Sequence, residues 1–175
     1  MKIVLDTNVL VSGMLRPHSA AGMLLRMIVA GALEIAVDER ILLEYEEVTS
    51  RPELGIDPAD ARLMMERIRN RGRSTVAHPL ALVVPDADDL PFIEVAHAAA
   101  ADAIVTGNRR HFPATVMKGV AVVSPQHAID LLAGEEWAVR EGIAVYRGRP
   151  TGDLTNAVAA ERERRRRKLS IGLIK

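Results

Sequence analysis

Residues 1–13 read MKIVLDTNVLVSG. Ile3, Val4 and Leu5 make a short apolar run of the kind buried in a parallel sheet. The run stops without a turn signal at Asp6, followed by Thr7 and Asn8. A surface loop carries such residues at no cost. The end of a buried strand does not, because an unpaired buried charge is expensive. Either backbone N–H groups hold the Asp6 carboxylate to shape a loop, or Asp6 belongs to a site.

Further strand-like runs lie at 33–37 (LEIAV), 102–106 (DAIVT) and 120–123 (VAVV), joining 2–6 (KIVLD). The segments between them read as helices. Residues 19–31 open on Ser19 and close on Gly31; 38–50 open on Asp38 and stop before Arg51-Pro52; 57–71 carry Pro58 in the first turn. Residues 89–101 and 124–133 complete the set. Strand and helix alternate, and the strands lack a period of two. This pattern predicts an α/β fold: a three-layer α/β/α sandwich around a central parallel sheet. The expected division is a domain over 1–134 and a basic appendage over 135–175. In the appendage, 142–152 reads as extended or turn-rich chain and 154–168 as a helix.

The 175 residues are 49% apolar but only 3% aromatic, so Ala, Val, Leu, Ile and Met must build the core. No cysteine is present, which excludes disulfides and thiolate metal sites. The first residues are too short an apolar run for a signal peptide, and no run reaches the roughly 18 apolar residues of a membrane span. A cytoplasmic, membrane-free protein is expected. The formal net charge of zero hides an asymmetry: residues 135–175 carry +4, and 1–134 carry −4.

Ligands of a parallel α/β sheet bind beyond the carboxyl ends of its strands. Asp6 ends one strand there. The TGN of 106–108 puts Thr106 and Asn108 at another. On the helix 38–50, Ile41, Tyr45 and Val48 share a face, and Glu44 borders it at about 60° from Ile41. Asp89 begins the helix of Phe92, Ile93 and Ala96, where a carboxylate also meets the helix dipole. Singly, Asp89 reads as a helix cap, Glu44 as a surface acid and TGN as a turn. Together, carboxylates converging in a low-dielectric cleft raise each other's pKa, and a hard divalent cation relieves the repulsion. Oxygen donors favour Mg²⁺ or Mn²⁺. The five histidines show no ligand spacing; only His111, just after TGN, is placed near a substrate.

The stretches VLDTNVLVSG, ILLEYEEVTSRPEL and DADDLPFIEVAHAAAADAIVTGNRRHFP occur in this order. In this the chain resembles the PIN-domain family over about residues 1–133, most closely the branch of toxins from toxin–antitoxin pairs. The block from Asp86 to Pro113 is the specific part. The resemblance implies a Mg²⁺- or Mn²⁺-dependent endoribonuclease on a parallel α/β/α sandwich. It implies catalytic positions at Asp6, Glu44, Asp89 and Asn108, with metal held by Asp6, Glu44 and Asp89, and Asn8 and Thr106 in support. It further implies an RNA substrate, a cognate antitoxin and a homodimer. The fourth position is often Asp in such enzymes, so Asn108 removes one negative charge and weakens a second metal site. Asp86, Asp88 and Glu94 lie near enough to be extra ligands, though Glu94 points about 140° from Asp89. On this reading Asp6→Asn abolishes cleavage and, by relieving repulsion, raises thermal stability without metal.

Two other acidic α/β sites fit less well. Haloacid-dehalogenase-like phosphatases place a second Asp where Asn8 stands. Receiver domains need acids ahead of the metal-bound Asp and a lysine where TGN occurs. A reading of another class is a non-catalytic RNA- or partner-binding module, with Asn108 the mark of a lost activity. The run ERERRRRK at 161–168, six basic side chains and two acidic, is either a solvated terminus or a set of RNA-phosphate contacts.

Overall fold

The computed structural model describes residues 1–134 together with the strands at 137–140 and 143–146. Five strands form a parallel sheet: β1 (Lys2–Leu5), β2 (Glu34–Val37), β3 (Arg73–Ser74), β4 (Ala103–Val105) and β5 (Ala121–Val123). Their order is β3-β2-β1-β4-β5. Ile3 lies opposite Ile35 on one side and Ala103 on the other, and Leu5 opposite Val105. Ile3, Val4, Leu5, Ala103, Ile104 and Val105 are all fully buried. Side chains pointing to both faces are covered, so these strands show no alternation. This is the expected helix-flanked parallel sheet.

The helices are α1 (Thr7–Leu15), α2 (Ala20–Ala30), α3 (Glu39–Thr49), α4 (Pro58–Arg71), α5 (Leu90–Ala98), α6 (Ala114–Met117) and α7 (Pro125–Gly134). The cap signals act as read. Ser19 Oγ accepts from Gly22 N, Asp38 Oδ1 from Ile41 N, and Asp57 Oδ1 from Ala59 N. Gly31 ends α2 at φ 76°, a left-handed backbone that a side chain would strain. Besides the short helix α6 and the strand at 137–140, two elements of the main sheet and its layers escape the sequence pattern. One is α1, rich in β-branched residues; the other is the two-residue edge strand β3. Among the described residues no helix is long and apolar enough to cross a membrane.

Two glycines let α1 and α2 close on each other. A Cβ at Gly13 would lie 2.7 Å from Leu25 Cδ1, and one at Gly22 would lie 2.7 Å from the Arg16 carbonyl oxygen and closer still to that of Pro17. Backbone cannot give way as a side-chain tip can. Gly22→Ala is therefore expected to destabilise by about 1–2 kcal/mol, overpacking outweighing the better helix propensity of alanine. Urea unfolding checks it; a stabilised variant would show that the α1–α2 turn yields freely.

The chain divides into two compact units, Met1–Val145 and Tyr146–Lys175. The strands β6 (Trp137–Arg140) and β7 (Ile143–Tyr146) pair as a separate two-stranded sheet. The helix expected over 154–168 and the basic run 161–168 lie outside the described residues.

Candidate metal centre

The strand order reverses between β1 and β4: from β1 the chain crosses to β2 on one side, and β4 enters on the other. The carboxyl ends of β1 and β4 thus flank a topological switch point, the usual ligand crevice of an open α/β sheet. Each of these strands is one residue shorter at this end than the sequence suggests. The residues left over are Asp6 and Thr106, whose N–H groups still donate to the Val105 and Val123 carbonyls (2.9 Å each) while their side chains meet at the strand ends.

Asp6 is buried, and its compensation is complete. Oδ1 accepts from Asn8 N (3.0 Å), and Oδ2 accepts from Asn8 Nδ2 (2.7 Å) and Thr106 Oγ1 (2.5 Å). Asp6 is also the N-cap of α1. The loop-holding role and the site position are one role, because the donors that shape the turn fix the carboxylate at the strand end. Asn8 Oδ1 accepts from Gly107 N (3.0 Å), and Thr106 Oγ1 from Asn108 N (2.8 Å). Asn8 and Thr106 therefore support Asp6 directly and lace the β1 end to the β4 end.

Glu44 stands half-buried on α3, where Thr7 Oγ1 donates to its Oε1 at 2.5 Å. Beside it, the buried Tyr45 hydroxyl donates to the Leu5 carbonyl and ties α3 to the end of β1. Burial raises the Glu44 pKa; the Thr7 hydrogen bond opposes this, and the charges of Asp6, Asp88 and Asp89 add to it.

Asp89 closes a 3-10 turn, Ala87–Asp89, that runs straight into α5. Its side chain caps nothing; Asp86 caps the turn instead, accepting from Asp88 N at 3.1 Å. Among the described residues Asp89 Oδ2 is a buried side-chain oxygen with no hydrogen-bond donor. His111 Nδ1 lies 3.0 Å from it, but the two are not aligned for a hydrogen bond. The pKa of Asp89 is pushed up to about 6. Burial is the main cause, the His111 imidazole opposes it, and the charges of Asp6 and Asp86 reinforce it. Glu44 thus feels the charges of Asp6 and Asp89, and Asp89 that of Asp6.

Asn108 reaches neither Asp6 nor Asp89 with its side chain. Its carboxamide nitrogen lies 2.5 Å from His111 Nε2. Asp86, Asp89 and His111 each offer an atom within 4.8 Å of the other two, a set able to hold a metal ion. His111 is the residue that sequence spacing passed over. It stands 22 positions from Asp89 in the chain, and only the 3-10 turn Arg109–His111 brings it back. Glu94 faces elsewhere: buried, it accepts from Arg40 Nη1 (2.5 Å) and Leu80 N (2.7 Å).

An orphaned buried carboxylate oxygen with raised affinity for a proton fits a divalent cation. The surface at the carboxyl ends of β1 and β4 is open. A depression of about 360 Å³ is lined by Asn8, Val9, Ser12, Gly107, Asn108 and Pro125. A larger apolar groove of about 730 Å³, lined by residues of α1, α2 and α4, lies away from these carboxylates and has none of their chemistry.

A family model described as PIN domain matches residues 2–110, which contain every carboxylate named above. No curated protein matches the chain.

Proposed function

The chain belongs to the PIN-domain family, and from that premise we propose that the crevice is the active site of a Mg²⁺- or Mn²⁺-dependent endoribonuclease. The observation that carries the reading is the buried Asp89 Oδ2, which accepts no aligned hydrogen bond although His111 lies 3.0 Å away, among acids whose protonation the fold favours. Asp6, Glu44 and Asp89 would hold the cation. When bound, it polarises a phosphate oxygen and makes an attacking water more acidic.

The chain's own residues do the rest. Asn8 and Thr106 hold Asp6 in one orientation. Thr7 holds Glu44 by one oxygen, leaving the other free to ligate or to orient a water. Arg109 and Arg110 are exposed on the turn directly after Asn108 and can offer guanidinium groups to the backbone phosphates of a strand in the open depression. The acids alone would repel a polyanion, so such cations beside the crevice, and the basic run at 161–168, supply attraction without reading sequence. In-line attack would leave a 5′-phosphate and a 3′-hydroxyl.

The direct test is cleavage of single-stranded RNA by the purified chain with Mn²⁺, Mg²⁺ or a chelator. Metal-dependent cuts support the reading. Binding without cuts would favour a non-catalytic RNA-binding module. The family also supports a toxin role with a cognate antitoxin, and a homodimer; co-purification with the product of the neighbouring reading frame and light scattering test these.

With three carboxylates where four are common in such sites, one cation is nearly neutralised and a second is not. A millimolar metal requirement is expected, and Asn108→Asp should tighten metal binding. Calorimetry decides it, and two tight sites in the unmodified chain would refute it.

A further inference from the structure

From the placement of His111 we infer that the cation is held on the Asp89 side by a mixed donor set, with His111 Nδ1 and Asp86 joining Asp89 as ligands and Asn108 orienting the imidazole. The inference rests on reading the crevice as a divalent-cation site, and it assigns ligands and a metal preference within it.

The geometry leaves His111 two states. With the Asn108 carboxamide turned one way, its nitrogen donates to a bare Nε2, and the ring proton sits on Nδ1, beside Asp89 Oδ2 at 3.0 Å. Turned by half a rotation, its oxygen accepts the proton of Nε2–H, and Nδ1 is left with a free lone pair in a set whose ligand atoms, from His111, Asp89 and Asp86, lie within 4.8 Å of one another. Carboxamide oxygen and nitrogen are nearly equal in size, so the exchange needs no other movement. A ligating histidine almost always gives its other N–H to an oxygen acceptor, which fixes the tautomer. Asn108 stands where that acceptor must be.

This assigns Asn108 a role other than that of a fourth acid reduced to an amide. It is a positioning residue, and the imidazole supplies the additional ligand. Asp86 fits the set as well. Its backbone carbonyl accepts from Asp89 N (3.3 Å), and its side chain caps the turn that carries Asp89, so the two acids move together. A nitrogen donor among carboxylates suits Mn²⁺ better than Mg²⁺, which takes oxygen almost exclusively.

The test reads binding, with no RNA present. Mn²⁺ is added to the full chain, and the electron spin echo is examined for modulation by an imidazole ¹⁴N nucleus. Modulation is expected in the unmodified chain and in Asp6→Asn, and its loss is expected in His111→Ala. By calorimetry, His111→Ala should weaken Mn²⁺ binding about tenfold and Mg²⁺ binding less than about twofold. Asn108→Ala should weaken Mn²⁺ binding about tenfold while keeping some modulation, which a merely structural change would not do. Absence of ¹⁴N modulation in the unmodified chain overturns the inference without recourse to any variant, as does equal weakening of both metals by His111→Ala. The nuclease reading fails separately, if chain with bound Mn²⁺ leaves RNA intact.

Discussion

Asp89→Asn is expected to lower metal-dependent RNA cleavage about a thousandfold, the scale on which a preorganised charge in an active site acts. The same change should raise the melting temperature of the metal-free protein. The sign follows from the raised pKa. Asp89 titrates near 6 in the folded chain against 3.8 for an ordinary aspartate. The folded state therefore binds the proton more tightly. Its contribution to stability is full below about pH 4 and is lost as pH rises through about 6. At pH 7.5 the ionised carboxylate is a burden, and asparagine removes it. Discounted for solvent screening, the gain is about 1 kcal/mol, or roughly 3 °C in a domain of this size. Melting curves from pH 4 to 8 in chelator check it. The native protein should lose stability across that range, and the variant should lose less. Parallel curves would sink the argument, as would an active variant.

Asp6→Asn should abolish cleavage too, but the stability gain read from sequence does not survive the structure. Asp6 is compensated by three hydrogen bonds from Asn8 and Thr106. An amide NH₂ in place of either oxygen would face at least one donor. A loss of about 1–2 kcal/mol is expected instead. Two aspartates of one crevice thus give opposite shifts in melting temperature, because one carboxylate is supplied with donors and the other is not.

Arg40→Ala is expected to cost about 2–3 kcal/mol, with Glu94→Gln costing about half as much. Glu94 is only 3% exposed and has two donors, Arg40 and Leu80 N. Removing Arg40 strands a buried carboxylate on a single N–H. Arg40 is half-exposed and also pairs with Asp38 at 2.7 Å, so it can turn to water and Asp38 when Glu94 is neutralised. The asymmetry is the prediction. Equal costs in urea unfolding would mean that the pair is worth only its contact. Since Leu80 lies in the long connection that leads to Asp86, Arg40→Ala should also slow cleavage.

The sheet and most helices were legible because their signals are local. Ser19, Gly31, Asp38 and the Asp57-Pro58 pair mark helix ends by chemistry that acts within four residues. Asp6, Glu44 and Asp89 were legible from strand ends and helical angle. The helix α1 was not, since Thr7, Val9, Val11 and Gly13 are weak helix formers, and its cap, Asp6, read first as the end of a strand. His111 was placed near a substrate by the TGN turn but not beside Asp89, because nothing local ties the two. The reason Asp89 does not cap its helix is likewise nonlocal in sequence terms: a 3-10 turn precedes α5, and Asp86 takes the capping task.

The hydrogen bond from Thr106 to Asp6 joins groups 100 residues apart along the chain. It forms only when β4 has docked beside β1, at the centre of the sheet. A ribosome making this protein therefore carries a chain whose crevice is incomplete until residues beyond Thr106 have emerged. Until then Asp6 has only its Asn8 donors, and Asp89 lacks its neighbour on the far turn. On the nuclease reading proposed above, activity would switch on in one late step of synthesis, and fragments released before it would leave the RNA around them intact.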